Sequence, residues 1–303
     1  MSSIIFGPIN SRRFGRSLGV DLSPKIKQCN FDCLYCELQG AKTLQQQKDV
    51  VELETVCKAI DDALKVDSDI DVVTLTANGE PTLYPHLQKL IEFLQSKHCK
   101  TMILSNAATI NDSAIQDALI QLDCVKLSLD CATQSCFKKL DRPNSGIDIE
   151  NIKSGMKSFA KRYRGELIIE ILFVKTVNDN AKEIEALNRF LKDLSPSRID
   201  IGTIDRPPAY DVKALSYDEL FSIAKMFDPN LFINIASRKQ TKQKPTAYST
   251  KQIYNTLLKR PLTDDDVKVL FDLNSRKKLD QLCSDGKVVK ISRNNLLFYK
   301  IAD

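Results

Sequence analysis

Three cysteines near the start of the chain have a spacing that suits metal binding. Cys29, Cys33 and Cys36 form a C-x3-C-x2-C pattern. Thiolates hold iron–sulfur clusters, and a cubane cluster normally takes four of them, so three would leave one iron open to a substrate. Structural zinc is the alternative, but it usually needs a fourth ligand from a second pair. No such pair accompanies the motif, and the two histidines, His86 and His98, are twelve residues apart.

The motif resembles that of the radical S-adenosylmethionine (SAM) superfamily. The resemblance implies that the three cysteines hold a [4Fe-4S] cluster whose remaining iron binds the amino and carboxylate groups of SAM. A reductant such as flavodoxin or ferredoxin would supply the electron that cleaves SAM and releases a 5′-deoxyadenosyl radical. Tyr35, directly before the third cysteine, is expected to lie over the cluster loop and shield it from water.

A second stretch follows the next predicted strand and strengthens the resemblance. Gly79, Glu80 and Pro81 resemble the superfamily's glycine-glycine-glutamate-proline motif, with Asn78 in place of the first glycine. In the family this motif contacts the amino group of the methionine part of SAM. The chemistry agrees, because an ammonium needs carbonyl or carboxylate acceptors and glycine lets the backbone approach closely.

Strand and helix patterns alternate from residue 19 to residue 204. The predicted strands are 19–23, 71–76, 101–106, 124–130, 167–174 and 198–204. The predicted helices are 51–65, 84–96, 113–122, 149–162 and 181–194. This alternation predicts an α/β fold with a parallel sheet and right-handed crossovers. A complete TIM barrel has eight strands, so six indicate the partial (β/α)6 TIM-like barrel that the resemblance implies.

Polar residues at the carboxyl ends of such strands are the expected site positions. They are Glu80, Asn106, Ser128, Asp130, Lys175, Asn178, Asp205 and Arg206. The resemblance makes Ser128 and Asp130 candidates for the SAM ribose and Asn106 a further candidate; each could instead be a helix cap or a turn residue. The loop 204–210 is expected to border adenine or the substrate.

Three arginines precede the first predicted strand. Arg12, Arg13 and Arg16 could meet a substrate carboxylate or phosphate, since guanidinium suits both, or could form structural ion pairs. We favour the first alternative, because these residues enter the cluster end of the predicted fold.

The cysteine count and the hydrophobic pattern indicate where in the cell the protein is expected to work. Nine cysteines without a secretory signal favour a reducing cytoplasm over a disulfide scaffold. The sequence contains no run of 18 apolar residues, so no membrane helix is predicted. We therefore expect a cytoplasmic protein with no membrane partner. Cys131 and Cys136 follow the fourth predicted strand and could ligate a second cluster, donate a hydrogen atom, or have no role, which is the interpretation we favour.

The end of the chain differs in charge from the rest. Residues 238–303 carry 15 Lys and Arg against 7 Asp and Glu, a net of +8, whereas the whole chain has +5. We predict a barrel over 1–237, a basic linker over 238–248, and a winged-helix-like domain over 249–303. Its third helix carries Arg276, Lys277 and Lys278, and Arg293 lies at the wing tip. Such a domain could hold tRNA or another RNA, bind a protein, or simply be well solvated.

Several motifs in order resemble one subgroup of the superfamily, the proteins related to the wyosine-base synthases of tRNA. The motifs are the three cysteines, 77–81, 128–130, Arg142-Pro143 and 201–210. Wyosine synthases carry further cysteines upstream for a second cluster, and none precedes Cys29 here, which puts their pyruvate-condensing reaction in doubt. We therefore expect a different radical reaction, on RNA. The alternatives are an activase or maturase that acts on a protein or peptide, and an iron–sulfur regulator that binds DNA.

Overall fold

The computed structural model of the protein describes residues 4–11, 14–235, 245–259, 261–293 and 296–302. Arg12, Arg13, most of the predicted linker and the side chain of Arg293 lie outside this description. The strands are β1 (Ile5–Ser11), β2 (Gly15–Asp21), β3 (Val72–Thr76), β4 (Lys100–Ser105), β5 (Cys124–Ser128), β6 (Glu166–Phe173), β7 (Arg198–Thr203), β8 (Ile233–Ile235), β9 (Leu262–Thr263), β10 (Val288–Arg293) and β11 (Leu296–Ile301). The helices are α1 (Leu53–Val66), α2 (Leu87–Gln95), α3 (Ser113–Leu119), α4 (Gln134–Leu140), α5 (Ile149–Arg162), α6 (Ala181–Leu194), α7 (Tyr217–Ala224), α8 (Thr250–Lys259), α9 (Asp264–Leu270) and α10 (Leu273–Ser284).

Strands β1 to β8 form one sheet in the order of the chain. β1 runs antiparallel to β2, and all later neighbours in this sheet are parallel. The predicted α/β fold with a parallel sheet is confirmed, and the sheet is consistent with a partial barrel. The two edge strands are additional to the six predicted. β1 contains the Gly7-Pro8 step, which resembles a loop in the sequence, and β8 has three residues.

The two faces of this sheet pack differently, because alternate residues of a strand point to opposite faces. Val73 and Ile169 are fully buried and belong to the main core, which also contains the helices that cover the outer face. Their neighbours Val72 and Ile168 belong to a small separate cluster on the inner face. The carboxyl ends of the parallel strands therefore open at one end of a partly filled interior.

Helices α5 and α6 begin and end where the sequence predicts. Asp148 accepts a hydrogen bond from the Asn151 amide, and Asn180 accepts one from the Glu183 amide. Both are standard caps of a helix amino terminus. No helix in the described ranges is long and apolar enough to cross a membrane.

The carboxyl-terminal segment has its own core. Helices α8, α9 and α10 pack with a three-stranded sheet of order β10-β11-β9, around Tyr248, Ile253 and Phe271. The Tyr248 hydroxyl donates to the Pro8 carbonyl at 2.5 Å, so this unit contacts the edge strand β1 of the barrel. Tyr248 lies inside the predicted linker but packs with the carboxyl-terminal unit.

Candidate metal centre

The cluster loop, residues 29–36, is joined directly to the glycine-glutamate-proline stretch. Gln28, which precedes the loop, forms a parallel bridge with Gly79. The Gln28 amide donates to the Asn78 carbonyl at 2.8 Å, and the Glu80 amide donates to the Gln28 carbonyl at 3.0 Å. The two motifs that the sequence places about 50 residues apart are thus adjacent strands of backbone.

Gly79 is required at this junction for two reasons. Its φ is +134°, in the region that favours glycine. A Cβ added there would lie 1.9 Å from the Gln28 carbonyl oxygen. The close approach of the two motifs therefore depends on the missing side chain.

The three cysteines of the loop are free thiols, and each is partly exposed. Burial, together with the charge of Glu80, raises the pKa of Cys29 to about 12. Burial also raises the pKa of Cys33, and the charges of Cys29 and Cys36 contribute to that increase, so the three sulfurs are electrostatic neighbours. The Cys29 sulfur accepts hydrogen bonds from the Phe31 amide at 3.4 Å and from the Asn106 amide group at 3.6 Å.

Lys27 is a site residue that the sequence reasoning missed. Its side chain is only 10% exposed, and its ammonium lies 3.4 Å from an Asp32 carboxylate oxygen. Burial lowers the pKa of Lys27, but the charges of Cys36, Asp32 and Cys29 outweigh it and raise the pKa overall. A lysine two residues before the first cysteine was the available signal. It places a cation where thiolates would need one.

Glu80 is engaged by the protein itself. Its carboxylate accepts from the Thr82 amide at 3.0 Å, the Thr82 hydroxyl at 2.6 Å, the Ser105 hydroxyl at 2.7 Å and the Asn106 amide at 2.7 Å. Burial raises its pKa despite these bonds. Glu80 therefore fixes the ends of β3 and β4 beside the cluster loop, and the adjoining Pro81 begins a short 3-10 turn.

Four of the predicted SAM contacts meet at one narrow cavity. Tyr35, Asn106, Ser128 and Asp130 all line it. The Tyr35 hydroxyl donates to one oxygen of Asp130, and the Leu172 amide donates to the other at 2.6 Å. Burial raises the pKa of Asp130 to about 7. Tyr35 thus ties the cluster loop to the end of β5, in addition to any shielding role, while Ser128 has no comparable tie.

Asp141 is a further buried carboxyl at this cavity that the sequence reasoning did not identify. Burial raises its pKa well above the usual range, and the charge of Asp130 adds to the increase. The charge of Asp141 also contributes to the raised pKa of Cys33, so this carboxyl lies near both Asp130 and the cluster loop. The sequence distance between Asp130 and Asp141 gave no sign of this proximity.

The loop after β7 contacts the cluster loop. The Ala209 amide donates to the Cys36 carbonyl at 2.7 Å, and the Tyr210 hydroxyl donates to Asp32 at 2.5 Å. Arg206 lies 3.0 Å from the Glu37 carboxylate and donates to the Pro261 carbonyl at 2.6 Å. Residues 206–210 therefore bind the cluster loop through hydrogen bonds and an ion pair, and Arg206 also contacts the carboxyl-terminal unit. Contact with adenine or substrate stays a prediction.

Arg16 forms structural contacts, the alternative that we did not favour. Its guanidinium pairs with Asp67 and donates to the Asp69 carbonyl at 2.8 Å. Arg16 lies at the start of β2, whereas the cluster loop follows the end of this strand. Arg16 is therefore at the opposite end of the sheet from the candidate site.

Cys131 and Cys136 are joined in a disulfide. With Glu183 they form the one set of three metal-ligating side chains, among the described residues, whose ligand atoms lie within 4.8 Å of one another. Their sulfurs are bonded to each other, and Glu183 accepts from the Thr133 amide at 2.9 Å, so this set does not offer a second cluster three free ligands. The expectation that the cysteines form no disulfide scaffold needs this one exception.

The donors of the cluster loop fit an iron–sulfur cluster. A structural zinc site usually completes its ligand set with a second pair of Cys or His, and no such pair accompanies this motif in the sequence. Three free thiols beside the cation of Lys27 suit a larger, negatively charged group held by thiolates.

Comparison with known proteins agrees with this site. The family model of the Radical SAM superfamily matches residues 24–191. A UPF0026 protein of Helicobacter pylori is 40% identical over 300 residues, covering 98% of this chain and 97% of the relative. The structure of TYW1 with a lysine-pyruvate adduct bound is similar in fold, with a TM-score of 0.55 and 18% identity over 75% of this chain and 76% of that one.

A second solved structure is similar in fold. Streptococcus suis SuiB bound to precursor peptide SuiA has a TM-score of 0.57 and 16% identity, over 72% of this chain and 48% of that one. The resemblance to the radical SAM superfamily is confirmed by the family model, and the likeness to TYW1 is a likeness of fold. The chain belongs to the radical SAM superfamily, whose enzymes use a [4Fe-4S] cluster and SAM.

Proposed function

We propose that Cys29, Cys33 and Cys36 hold a [4Fe-4S] cluster and that the protein cleaves SAM reductively to modify RNA, with tRNA as the preferred substrate class. The observation that carries the cluster assignment is the convergence of three free thiols on a loop paired with Gly79. Bound there, the cluster would supply the electron that splits SAM into methionine and a 5′-deoxyadenosyl radical.

The residues of the chain would position SAM around this centre. Gly79, Glu80 and Pro81 form the loop for the methionine ammonium, with Glu80 acting as its internal anchor. Ser128 offers a hydroxyl toward the ribose, because it lines the cavity beside Tyr35. Asn106 lines the same cavity, but its side-chain amide already donates to Asn30 at 2.7 Å and to the Cys29 sulfur. Both carboxylate oxygens of Asp130 also accept from protein donors, so Asn106 and Asp130 position the loop around SAM. The narrow cavity limits the access of water to a reactive intermediate.

The carboxyl-terminal unit supports RNA as substrate. Its net charge favours a polyanion, and the order of its elements, helix, short strand, two helices and hairpin, agrees with the winged helix that we propose for it. Lys277, Lys287 and Lys290 are exposed.

A peptide or protein substrate is the second candidate, for a specific reason. Arg276 donates to the carbonyls of Phe271 at 2.9 Å and Lys268 at 2.7 Å, and Lys278 donates to the Tyr248 carbonyl at 2.9 Å. Two of the three cations on α10 are therefore engaged inside their own domain. Leu273 on the same helix is 76% exposed, which suits a protein partner better than phosphate. The fold is also similar to that of peptide-bound SuiB.

The first test is anaerobic reconstitution of the full chain. We expect about four irons per chain and formation of 5′-deoxyadenosine from SAM on reduction with dithionite. Bound zinc in place of iron, or a cluster that never cleaves SAM with any RNA or peptide supplied, would refute the proposal. A cluster with sequence-specific DNA binding and no SAM cleavage would point to the regulator instead.

The second test separates RNA from peptide. We expect the affinity for total tRNA to fall as the salt concentration rises. Lys277→Ala/Lys287→Ala should weaken binding several-fold and reduce the slope of log binding constant against log salt concentration by about two. The matched control is Lys65→Ala/Lys161→Ala, which removes two exposed lysines from the barrel. Binding that is insensitive to salt, or equally affected by both variants, would favour the peptide candidate.

A further inference from the structure

A segment after β5 forms the outer wall of the cluster loop. Residues 138–147 run beside it, with the Asp32 amide donating to the Asp141 carbonyl at 3.1 Å and the Leu34 amide to the Leu140 carbonyl at 2.9 Å. The Asn144 amide donates back to the Asn30 carbonyl at 2.8 Å. This wall therefore contacts the backbone that carries the candidate ligands.

A second segment, residues 39–48, adjoins the same wall. The Leu44 amide donates to the Cys29 carbonyl at 2.8 Å. The Asn144 side chain donates to the Thr43 hydroxyl at 2.9 Å, which links the two segments. Together they form one continuous surface over the cluster loop.

The exposed charged side chains of these two segments are all cationic. We call this surface the basic face and define it by Lys42, Lys48, Lys138, Lys139 and Arg142. The four lysines are exposed, and the Arg142 side chain is 41% exposed even though it pairs with Asp32 at 3.3 Å. Segment 39–48 contains no acidic residue, and Asp141, the acid of segment 138–147, is buried.

The wall separates this charge from the candidate SAM site. Phe137 and Asp141 line the narrow cavity together with Ser128. Lys138 and Arg142, from the same stretch, line an open cleft of about 450 Å³ on the other side. A partner at the cleft would thus reach the cluster loop without entering the cavity.

We propose that the basic face is the docking surface for an acidic one-electron donor protein, such as a reduced flavodoxin or ferredoxin. The inference rests on the proposed reductive function. One electron would leave the donor, which is oxidised by one equivalent, and reduce the cluster by one equivalent; no bond forms and no proton moves in this step. Complementary charge would orient the donor and speed its encounter.

The position of the face favours a donor over the RNA substrate. The substrate must reach the radical in the cavity, whereas an electron needs only proximity to the ligands. Lys138 and Lys139 lie in the last turn of α4, directly before the wall residues that bond to the loop. Within the described chain no carboxylate lies within ion-pair distance of either ammonium, so both are available to a partner.

The test uses the full reconstituted chain and a bacterial flavodoxin as the probe. In Lys138→Glu/Lys139→Glu we expect the affinity for flavodoxin to fall about tenfold, with a weaker salt dependence. Flavodoxin-driven formation of 5′-deoxyadenosine should fall similarly at subsaturating flavodoxin, while the dithionite-driven rate stays unchanged. The matched control is Lys65→Glu/Lys161→Glu, which reverses two exposed lysines in the last turns of α1 and α5 and should change neither quantity.

Unchanged flavodoxin affinity in the first variant, or an equal loss in the control, would overturn the inference. Loss of tRNA binding in place of flavodoxin binding would overturn it as well and assign the face to RNA. Failure of the wild-type protein to cleave SAM with dithionite, with any RNA or peptide supplied, would instead refute the proposed function. Flavodoxin affinity is measured separately, so the two failures can be distinguished.

Discussion

Two groups of cysteines lie near the same end of the barrel, and the fold treats them differently. In the cluster loop, Cys29 and its two partners remain free, because the loop backbone is paired on one side with Gly79 and on the other with residues 138–147. Cys131 and Cys136 flank the start of α4, where the turn brings their Cα atoms to 5.7 Å and the sulfurs bond. The free thiols thus lie on a loop whose backbone is paired on both sides, which fits the ligand set that we propose, whereas the bonded pair lies in a single turn.

The largest expected effect comes from removing one member of the first group. We expect Cys33→Ala to reduce bound iron after anaerobic reconstitution to near background and to abolish formation of 5′-deoxyadenosine, because a cluster with two protein ligands is not retained. The matched control, Cys131→Ala/Cys136→Ala, should keep about four irons per chain. Equal iron loss in both proteins would contradict the distinction between the groups.

The second-largest effect is expected from a substitution at Gly79, whose contact with Gln28 holds the cluster loop in place. Gly79→Ala should destabilise the protein by roughly 2–4 kcal/mol and prevent stable cluster binding, since the new methyl group meets the Gln28 carbonyl. Chemical denaturation and iron content give the two readouts.

Gly146→Ala is the control for this substitution. Gly146 also has a positive φ, of +88°, but nothing lies within 4 Å of its added Cβ. We expect a loss of only about 1 kcal/mol and normal iron content. A similar loss of unfolding free energy in both variants would show that backbone strain, and not the contact with Gln28, destabilises Gly79→Ala.

The third effect concerns the buried cation beside the free thiols. Lys27→Met should weaken iron retention against a chelator by about tenfold or more, because a neutral side chain no longer offsets the thiolates. Lys25→Met is the control; its ammonium is more exposed and pairs with Asp49 at 3.1 Å. Equal iron retention in the two variants would show that Lys27 does not contribute to the metal centre.

The smallest effect concerns the second group. The unfolded, unreduced protein should titrate with seven free thiols, and Cys131→Ala/Cys136→Ala should leave that number unchanged. Because the loop between these cysteines is short, the double variant should lose about 2 kcal/mol of stability at most, measured by thermal unfolding in the absence of a reductant. Nine free thiols in the wild-type protein would show that the bond does not form.

The sequence predicts the parts of the fold that local patterns determine. The bounds of α5 and α6 follow from their apolar period and from the caps Asp148 and Asn180, which act within three residues. Strand β1 and helix α4 were missed. Pairing with β2 forms β1 despite Pro8, and α4 is a single short segment of seven residues whose position depends on packing against the cluster loop.

The candidate site divides in the same way. The cysteine spacing and Gly79 could be predicted from the local sequence, because the spacing defines a ligand pattern and the glycine allows an unusual backbone conformation. The roles of Lys27, of Asp141 and of the Tyr210–Asp32 hydrogen bond could not be predicted in this way. Each depends on a partner that only the folded chain brings near. The sequence also gives the charge of α10 but not that Arg276 donates to carbonyls of its own domain.

Arg206 gives the cluster loop and the carboxyl-terminal unit a side chain in common, so filling of the loop and docking of the unit can be coupled. Its guanidinium contacts Glu37, one residue beyond the last cluster cysteine, and the Pro261 carbonyl of the carboxyl-terminal unit. By thermodynamic reciprocity, filling the metal centre tightens the attachment of that unit if the attached unit favours a filled centre, and by the same factor. A partner that favours the attached carboxyl-terminal unit would then act on the metal loop through Arg206, and occupancy of the loop would act back on that unit.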